Sequence, residues 1–599
     1  MIVQKFVVNQ YPIQNILSLI NSEEIAIPEI QRPFVWNASK VRDLIDSLYQ
    51  GYPVGYLIIW QNPSVRLKDG TISKGKKIII DGQQRITALM AAILGKEIVD
   101  SNFKKKRIVI SFNPIEKKFE VLNSAIQKDK RWIKDISLVF SPEFSIYNAV
   151  ENYCSLNTDV KKEDIFESIE TLKNIVNIPM GLIELDSDLD INEVTEIFIR
   201  INSSGVVLSQ ADFAMSKIAA DKKYGGNMLR KAIDYFCHLS VKPEFYSQLA
   251  KNDEEFVNSD YFKKMEWLKN DKDDLYDPSH TDMLRVSFTS KFKRGKLEDL
   301  VALLSGRDFK TRQYKEEIVK DSFDKLREGI MDFMNKNNFK KFIMILRSAG
   351  FIDNSMVSSQ NAVNFAYVLY LTLKEKKVPN PKIEQLVRKW YVMSVLKSRY
   401  SASPESQFDY DIRRIYEYDP EQYILNVLDA ELSDSYWYNL LPQQLNTSVV
   451  SSPVFHVFLA AQVYMGDKGF LSKDIKVSDL ITIKGDFHHI FPKNYLKKIG
   501  FNTRGMYNQL ANYVKAQSEI NIAIGNKPPK IYFSELLEQC RTGSLKYGAI
   551  KDLDELYENL EMNCIPPAVF NDLAEDYPAF LEERRKLMAK KIKEYFQKL

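Results

Sequence analysis

KKIIIDGQQRITALMAAIL, residues 76–94, changes its periodicity halfway along, and that change decides how the N-terminal part is read. KKIIID is short, β-branched and closed by a turn former, the pattern of a buried strand. ITALMAAIL is built of helix formers and stops at Gly95. Between them Gly82 lets the backbone approach closely at a tight turn. A helix that opens straight after such a turn leaves its first N–H groups unpaired and carries partial positive charge, a ready seat for an anion. Arg85, one turn in, adds a forked donor suited to phosphate, and Asp81 at the strand end can hold a metal or orient a water. An ordinary capped helix with an exposed arginine fits the same spacing.

Upstream, GYLIIW (55–60) reads as a second buried strand, preceded by the helical KVRDLIDSLYQ (40–50) and the turn GYPVG (51–55). IPEIQRPFVW (27–36) sets Gln31 and Arg32 just before a Pro-restricted turn. Downstream, IFIRINSSGVVLSQADF (197–213) carries Arg200, Asn202 and Gly205 around a strand-to-loop junction. Gly70 to Lys76 satisfies G-x-x-x-x-G-K, but Lys77 stands where the magnesium-binding Ser or Thr belongs, and a strand follows instead of a helix. That segment is expected to be a hairpin loop rather than a phosphate loop.

In order and spacing, IPEIQRPFVW, IIDGQQR and FIRINSSGVVLS resemble the ParB-like N-terminal domain of GmrSD-type modification-dependent restriction enzymes, over about residues 10–215. The resemblance implies a nucleoside triphosphate site formed by Gln31, Arg32, Asp81, Gly82, Gln83, Gln84, Arg85 and Thr87, with Asp81 and Arg85 serving hydrolysis. In that family triphosphate hydrolysis licenses attack on DNA.

Of the five histidines, His238, His280 and His456 are isolated, while His488 and His489 are adjacent in DFHHIFPKNYL (486–496). Neighbours on a strand point to opposite faces, so near a strand end one imidazole can bind a metal while the other reaches substrate. In ANYVKAQSEINIAIGNK (511–527), NYVKA can return as the second strand, and Ser518 is the expected N-cap of a short helix that carries Asn521 and ends at Gly525. Strand, loop, strand and helix make a ββα unit. The order His-His, Asn, then Asn nine residues later resembles the HNH nuclease motif in the form that follows GmrSD-type N-terminal domains, over about 484–530.

That resemblance implies His489 as general base, a role suited to an ordinary imidazole pKa near 6.5. His488 and the side-chain oxygen of Asn521 would hold a divalent cation, Mg²⁺ or Mn²⁺. Asn512 would orient His489 or brace the loop, and Lys527, with Lys493, Lys497 and Lys498, would contact DNA. Many relatives carry Asp where His488 stands; imidazole suits transition metals and oxygen ligands suit Mg²⁺, so the metal is left open. Asp486 lies two residues away and fits the ligand position poorly. Two histidines without cysteine argue against structural zinc.

The chain has 599 residues, enough for about three or four domains, and 45% apolar residues, enough for packed cores. Four scattered cysteines without a C-x-x-C pair point to a reducing cytoplasm rather than a disulfide scaffold. No secretory signal is visible at the N-terminus, and the longest apolar stretch, VFHVFLAAQVYM (454–465), is shorter than the roughly 20 residues of a membrane span. FDKLREGIMDFMNKNNFKKFIMILRSAG (323–350) and NAVNFAYVLYLTLKEKK (361–377) show helical spacing stopped by Gly350 and Pro379, and the tail PAFLEERRKLMAKKIKEYFQKL (578–599) is an amphipathic helix. The expected fold class is α+β multidomain: a ParB-like domain over 1–225, a helical connecting or sensing region over 226–450, an HNH domain over 451–560 and a terminal helix over 561–599.

The net charge of +4 is an average: residues 484–530 hold eight Lys and Arg against Asp486 and Glu519, a local +6. The basic runs KKKR (104–107) and KDKRWIK (128–134) read first as solvated faces, and RYSASPES (399–406) as a polar loop with no assigned chemistry. The combined reading is a cytoplasmic, triphosphate-dependent endonuclease that nicks or cuts modified phage DNA. A sensor of phosphorothioate DNA, a non-cutting ParB-like regulator and an RNA-directed nuclease are the alternatives. No membrane partner is expected, and a homo-oligomer is left open.

Overall fold

The computed structural model describes residues 5–22, 24–26, 36–61, 77–99, 105–186, 189, 197, 210–221, 223–313, 315–485 and 487–599. The chain is an α+β multidomain protein that divides into two compact units, Met1–Lys269 and Asn270–Leu599. The division falls inside the helical stretch that begins near residue 226.

The first unit is organised by a mixed five-stranded sheet. Its strands are β1 (Phe6–Pro12), β2 (Ile25–Ala26), β3 (Tyr56–Gln61), β4 (Lys77–Asp81) and β5 (Pro179–Leu185), in the spatial order β1-β5-β3-β4-β2. β3 runs antiparallel to β4 and parallel to β5. Leu57 and Ile59 face a large core shared with α1 (Ile13–Asn21), α2 (Ala38–Tyr49) and α3 (Gln83–Ile93). Ile58 and Trp60 face a smaller cluster with Ile80, Leu185 and Leu189. Burial on both faces is why GYLIIW is a continuous apolar run instead of an alternating one.

The second unit is mostly helical. α4 (His280–Phe292), α5 (Glu316–Phe333), α6 (Lys336–Ser348), α7 (Gln360–Glu375) and α8 (Asn380–Leu396) form its bundle. The periodic stretch 323–350 is broken into two helices, because Asn335 caps α6 by accepting from the N–H groups of Asn337 and Asn338. RYSASPES turns out to anchor a buried polar node. Arg399 donates to both carboxylate oxygens of Asp411 at 2.9 and 2.7 Å, and the hydroxyls of Tyr400 and Tyr423 donate to the same carboxylate.

VFHVFLAAQVYM lies within the buried helix α9 (Pro453–Met465), and among the described residues no helix is long and apolar enough to cross a membrane. Beyond it come the strands β6 (Phe487–His489) and β7 (Tyr513–Lys515), then α10 (Ser518–Ile524), α11 (Pro529–Thr542) and the terminal helix α12 (Tyr577–Lys598).

Candidate functional site

β4 runs into α3 through Gly82, which has φ +94° and caps the helix without a side chain. The first-turn N–H groups are therefore not closed by a capping side chain from that position. A Cβ at Gly82 would sit 2.3 Å from Leu57 Cδ2 and 3.1 Å from Arg85 Nη1, so glycine is required both for the dihedral and for the close packing. Arg85 folds back over Gly55 and donates through Nη1 to the carbonyl of Tyr56, while Nη2 stands 3.8 Å from the Asp81 carboxylate. The guanidinium is thus partly engaged by β3 and β4, with part of its surface open to solvent.

Gln83 is buried and Gln84 half-buried on the first turn, and Thr87, also half-buried, lies just past it. Gln31 and Arg32, the Arg200–Asn202–Gly205 segment and the glycine-lysine loop at 70–76 all lie outside the described residues. The basic runs are partly spent on internal contacts. Arg107 pairs with Asp135 at 2.9 Å, Arg131 with Asp159 at 3.1 Å, and Lys134 donates to the carbonyl of Ile126.

In the second unit β6 and β7 pair antiparallel, with His489 opposite Tyr513 and His488 opposite Val514. The amide of Ile490 extends the ladder by donating to the Asn512 carbonyl at 2.9 Å. His489 Nε2 is 2.9 Å from Asn508 Oδ1, and the imidazole packs against the Tyr513 ring at 4.9 Å. With the Asn508 oxygen as acceptor, Nε2 carries the ring proton and Nδ1 keeps its lone pair. Burial holds the His489 pKa below its ordinary value; Lys493 and His488 push it the same way, against the Asn508 hydrogen bond. The ring is therefore neutral near pH 7, as a general base must be.

Asn512 is completely buried and braces the turn between the strands. Its Oδ1 accepts from the Phe491 N–H at 2.8 Å, and its Nδ2 donates to the carbonyls of Phe491 and Tyr507 at 3.1 and 3.2 Å. Of the two roles considered for it, loop bracing is the one its contacts serve, and Asn508 is the amide bonded to His489.

The helix after β7 begins at Ser518 with Gln517 in the cap position, one residue before the expected cap. Gln517 uses its side-chain oxygen to accept from Ser472 at 2.9 Å, and Ser518 already has helical geometry. Asn521 lies half-exposed on this helix, which ends at Gly525 with φ +56°. Lys493 and Lys497 are exposed above the ring of Tyr507, and Lys498 is exposed beside them. Lys527 is instead paired with Glu535 at 3.1 Å.

Among the described residues no three His, Cys, Asp or Glu side chains converge on a common point, and Asp486 lies outside them. His488 and Asn521 are each partly open to solvent.

Two supports of this hairpin were not anticipated. Arg584 on α12 is fully buried, and among the described residues it has no carboxylate partner; burial lowers its pKa to about 10. Its Nη1 donates to the carbonyls of Ala511 and Tyr513, both at 2.8 Å, and its Nη2 to that of Asn563 at 3.0 Å. Tyr532 on α11 donates to the Ile490 carbonyl at 2.8 Å. The signal for Arg584 was present in the spacing, because Tyr577, Leu581, Arg584 and Met588 fall on one helical stripe. Asn508 could have been found from its four-residue offset to Asn512 in YNQLAN.

Residues 13–219, about a third of the chain, match the family model described as the GmrSD restriction endonuclease, N-terminal domain. The span agrees with the N-terminal resemblance drawn from IPEIQRPFVW, IIDGQQR and FIRINSSGVVLS. An uncharacterized protein of Methanocaldococcus jannaschii, MJ0686, is similar over nearly its whole length: 22% identical over 652 aligned positions, covering 97% of this chain and 98% of the relative.

Proposed function

We propose that this chain is a nucleoside-triphosphate-dependent endonuclease that nicks or cleaves modified DNA, with separate sites for the two reactions. The observation that carries the nuclease half is the β6–β7–α10 unit. Its hairpin holds a neutral His489 with Nε2 bonded to Asn508 and carries His488 beside it, and α10, which follows β7 directly, carries Asn521. The restriction-endonuclease description of the matched N-terminal model supports pairing that nuclease with a triphosphate site at the Asp81–Arg85 turn.

Hydrolysis breaks a P–O bond of the backbone. Water attacks phosphorus and gives its proton to His489 Nδ1, and the leaving oxygen takes a proton from solvent. Asn508 fixes the tautomer that makes Nδ1 the acceptor. Asn512, Arg584 and Tyr532 hold the strand ends so that the ring meets the water in one orientation. A divalent cation held by His488 and Asn521 would neutralise charge building on the phosphate and the leaving oxygen. In the first unit, the open first turn of α3 would seat phosphate oxygens, with Arg85 beside them once it leaves the Tyr56 carbonyl.

A plasmid assay tests the reading. Plain, hydroxymethylated, glucosylated and phosphorothioated DNA are each incubated with Mg²⁺ or Mn²⁺ and each triphosphate. Metal-dependent nicking stimulated by a triphosphate on at least one modified DNA is expected. Intact plasmid under every condition would overturn it.

A further inference from the structure

Glu535 sits at the centre of a cationic cluster. Lys527 Nζ is 3.1 Å from its Oε2, and Lys546 Nζ is 2.5 Å from its Oε1. The hydroxyl of Tyr547 donates to Oε2 and also receives Lys527 Nζ at 2.5 Å. Two ammonium groups and a phenol therefore converge on a single carboxylate. A backbone phosphodiester presents the same recognition elements, two free oxygens sharing one negative charge. Two cations against one anion leave the cluster with an excess positive charge, whereas nearby Lys530 and Glu575 pair one to one at 2.8 Å.

The cluster is tied to the elements of the candidate nuclease. Glu535 lies one turn after Tyr532 on α11, and Tyr532 grips the carbonyl that follows His489. Lys527 follows α10, the helix of Asn521, by three residues. The side chains of Glu535, Lys527 and Lys546 are 29, 34 and 49% exposed, so a phosphate can approach without opening the core. The Tyr547 residue as a whole is buried, which fixes its hydroxyl as the floor of the cluster.

We propose that Lys527, Lys546 and Tyr547 form a seat for a DNA backbone phosphate, and that the Glu535 carboxylate fills the seat until DNA displaces it. The assignment rests on the nuclease reading above. Burial alone would raise the Glu535 pKa, but Lys546, Tyr547 and Lys527 outweigh it and hold it down at about 2. The carboxylate is thus charged at every working pH, and the exchange is a competition between anions. Lys527 accordingly contributes to DNA binding only after Glu535 swings away, which restrains binding to arbitrary DNA.

The test measures binding of a fluorescein-labelled duplex to the full-length protein by polarisation, in EDTA, across a salt series. Glu535→Gln keeps the shape and removes the charge; Glu535→Ala is a second variant with the same expected direction. Each should bind about three- to tenfold tighter near 150 mM salt and steepen the dependence of log K on log salt by about one. Adding Lys527→Gln and Lys546→Gln should return both quantities to wild-type values or below. Wild-type affinity and slope in both Glu535 variants would overturn the seat, as would a gain that survives loss of both lysines. Metal-dependent nicking by the wild type separates the two claims. Nicking with unchanged Glu535-variant affinity defeats the seat alone, and a wild type that binds no DNA at low salt defeats both.

Discussion

Asn512→Ala is the substitution that best separates bracing from chemistry at the hairpin. It removes one acceptor and two donated hydrogen bonds, leaving the Phe491 N–H and the carbonyls of Phe491 and Tyr507 without that partner in a buried setting. At roughly 1 kcal/mol per unsatisfied group, the low end for such losses, the local fold weakens by about 3 kcal/mol. Arg584 still holds the carbonyls of Ala511 and Tyr513 on either side, so the damage concentrates at the turn. Hydrogen exchange read by mass spectrometry on peptides spanning β6 and β7 measures this directly. The Ile490 amide, which donates to the Asn512 carbonyl, should exchange about a hundredfold faster than in the wild type. Nicking should fall in parallel, because His489 loses its fixed orientation. Wild-type exchange together with lost nicking would refute the bracing role and place Asn512 at the reacting atoms.

Three further outcomes follow from the two sites. Asn508→Ala should lower the nicking kcat by about ten- to a hundredfold, with KM and hairpin exchange unchanged, since among the described residues the Asn508 side chain bonds only to His489 Nε2; a loss confined to KM would contradict this. Burial depresses the His489 pKa and the base works neutral, so nicking should be on its plateau above pH 6.5 and fall as pH drops through the lowered value. An acid limb centred above pH 7 would contradict a neutral, desolvated base. Gly82→Ala puts a Cβ 2.3 Å from Leu57 Cδ2 at φ +94°, and should destabilise the first unit by about 1–3 kcal/mol, seen as faster exchange in β4 and α3. Unchanged exchange would contradict the packing described there.

What could be read from the sequence was local. The strand–glycine–helix order around Asp81 and the return of NYVKA opposite the histidine pair both follow from short-range periodicity; the strands appear within one position of the stated residues, and the helix starts three residues before ITALMAAIL. The failures concern partners brought in from far along the chain. The amphipathic tail was read as a separate helix, yet Arg584 reaches back more than seventy residues to the carbonyls beside Asn512, and nothing in its own segment identifies those acceptors. The resemblance gave Lys527 as a phosphate contact, and its ion pair with Glu535 and its contact with the Tyr547 hydroxyl, which come from α11 and the loop after it, could not be read from its own segment. The apolar spacing over 323–350 concealed a helix break, because Asn335 caps by a side-chain hydrogen bond that hydrophobic periodicity does not register.

The central claim is that two independent sites share this chain, and one paired assay reaches it most directly. Wild type, His489→Ala and Arg85→Ala are given the same plasmid, metal and triphosphate, with nicked DNA and released phosphate measured from each reaction. His489→Ala should lose nicking and keep triphosphate hydrolysis; Arg85→Ala should lose hydrolysis and keep the nicking that occurs without triphosphate. Equal loss of both activities in either variant would contradict the two-site account.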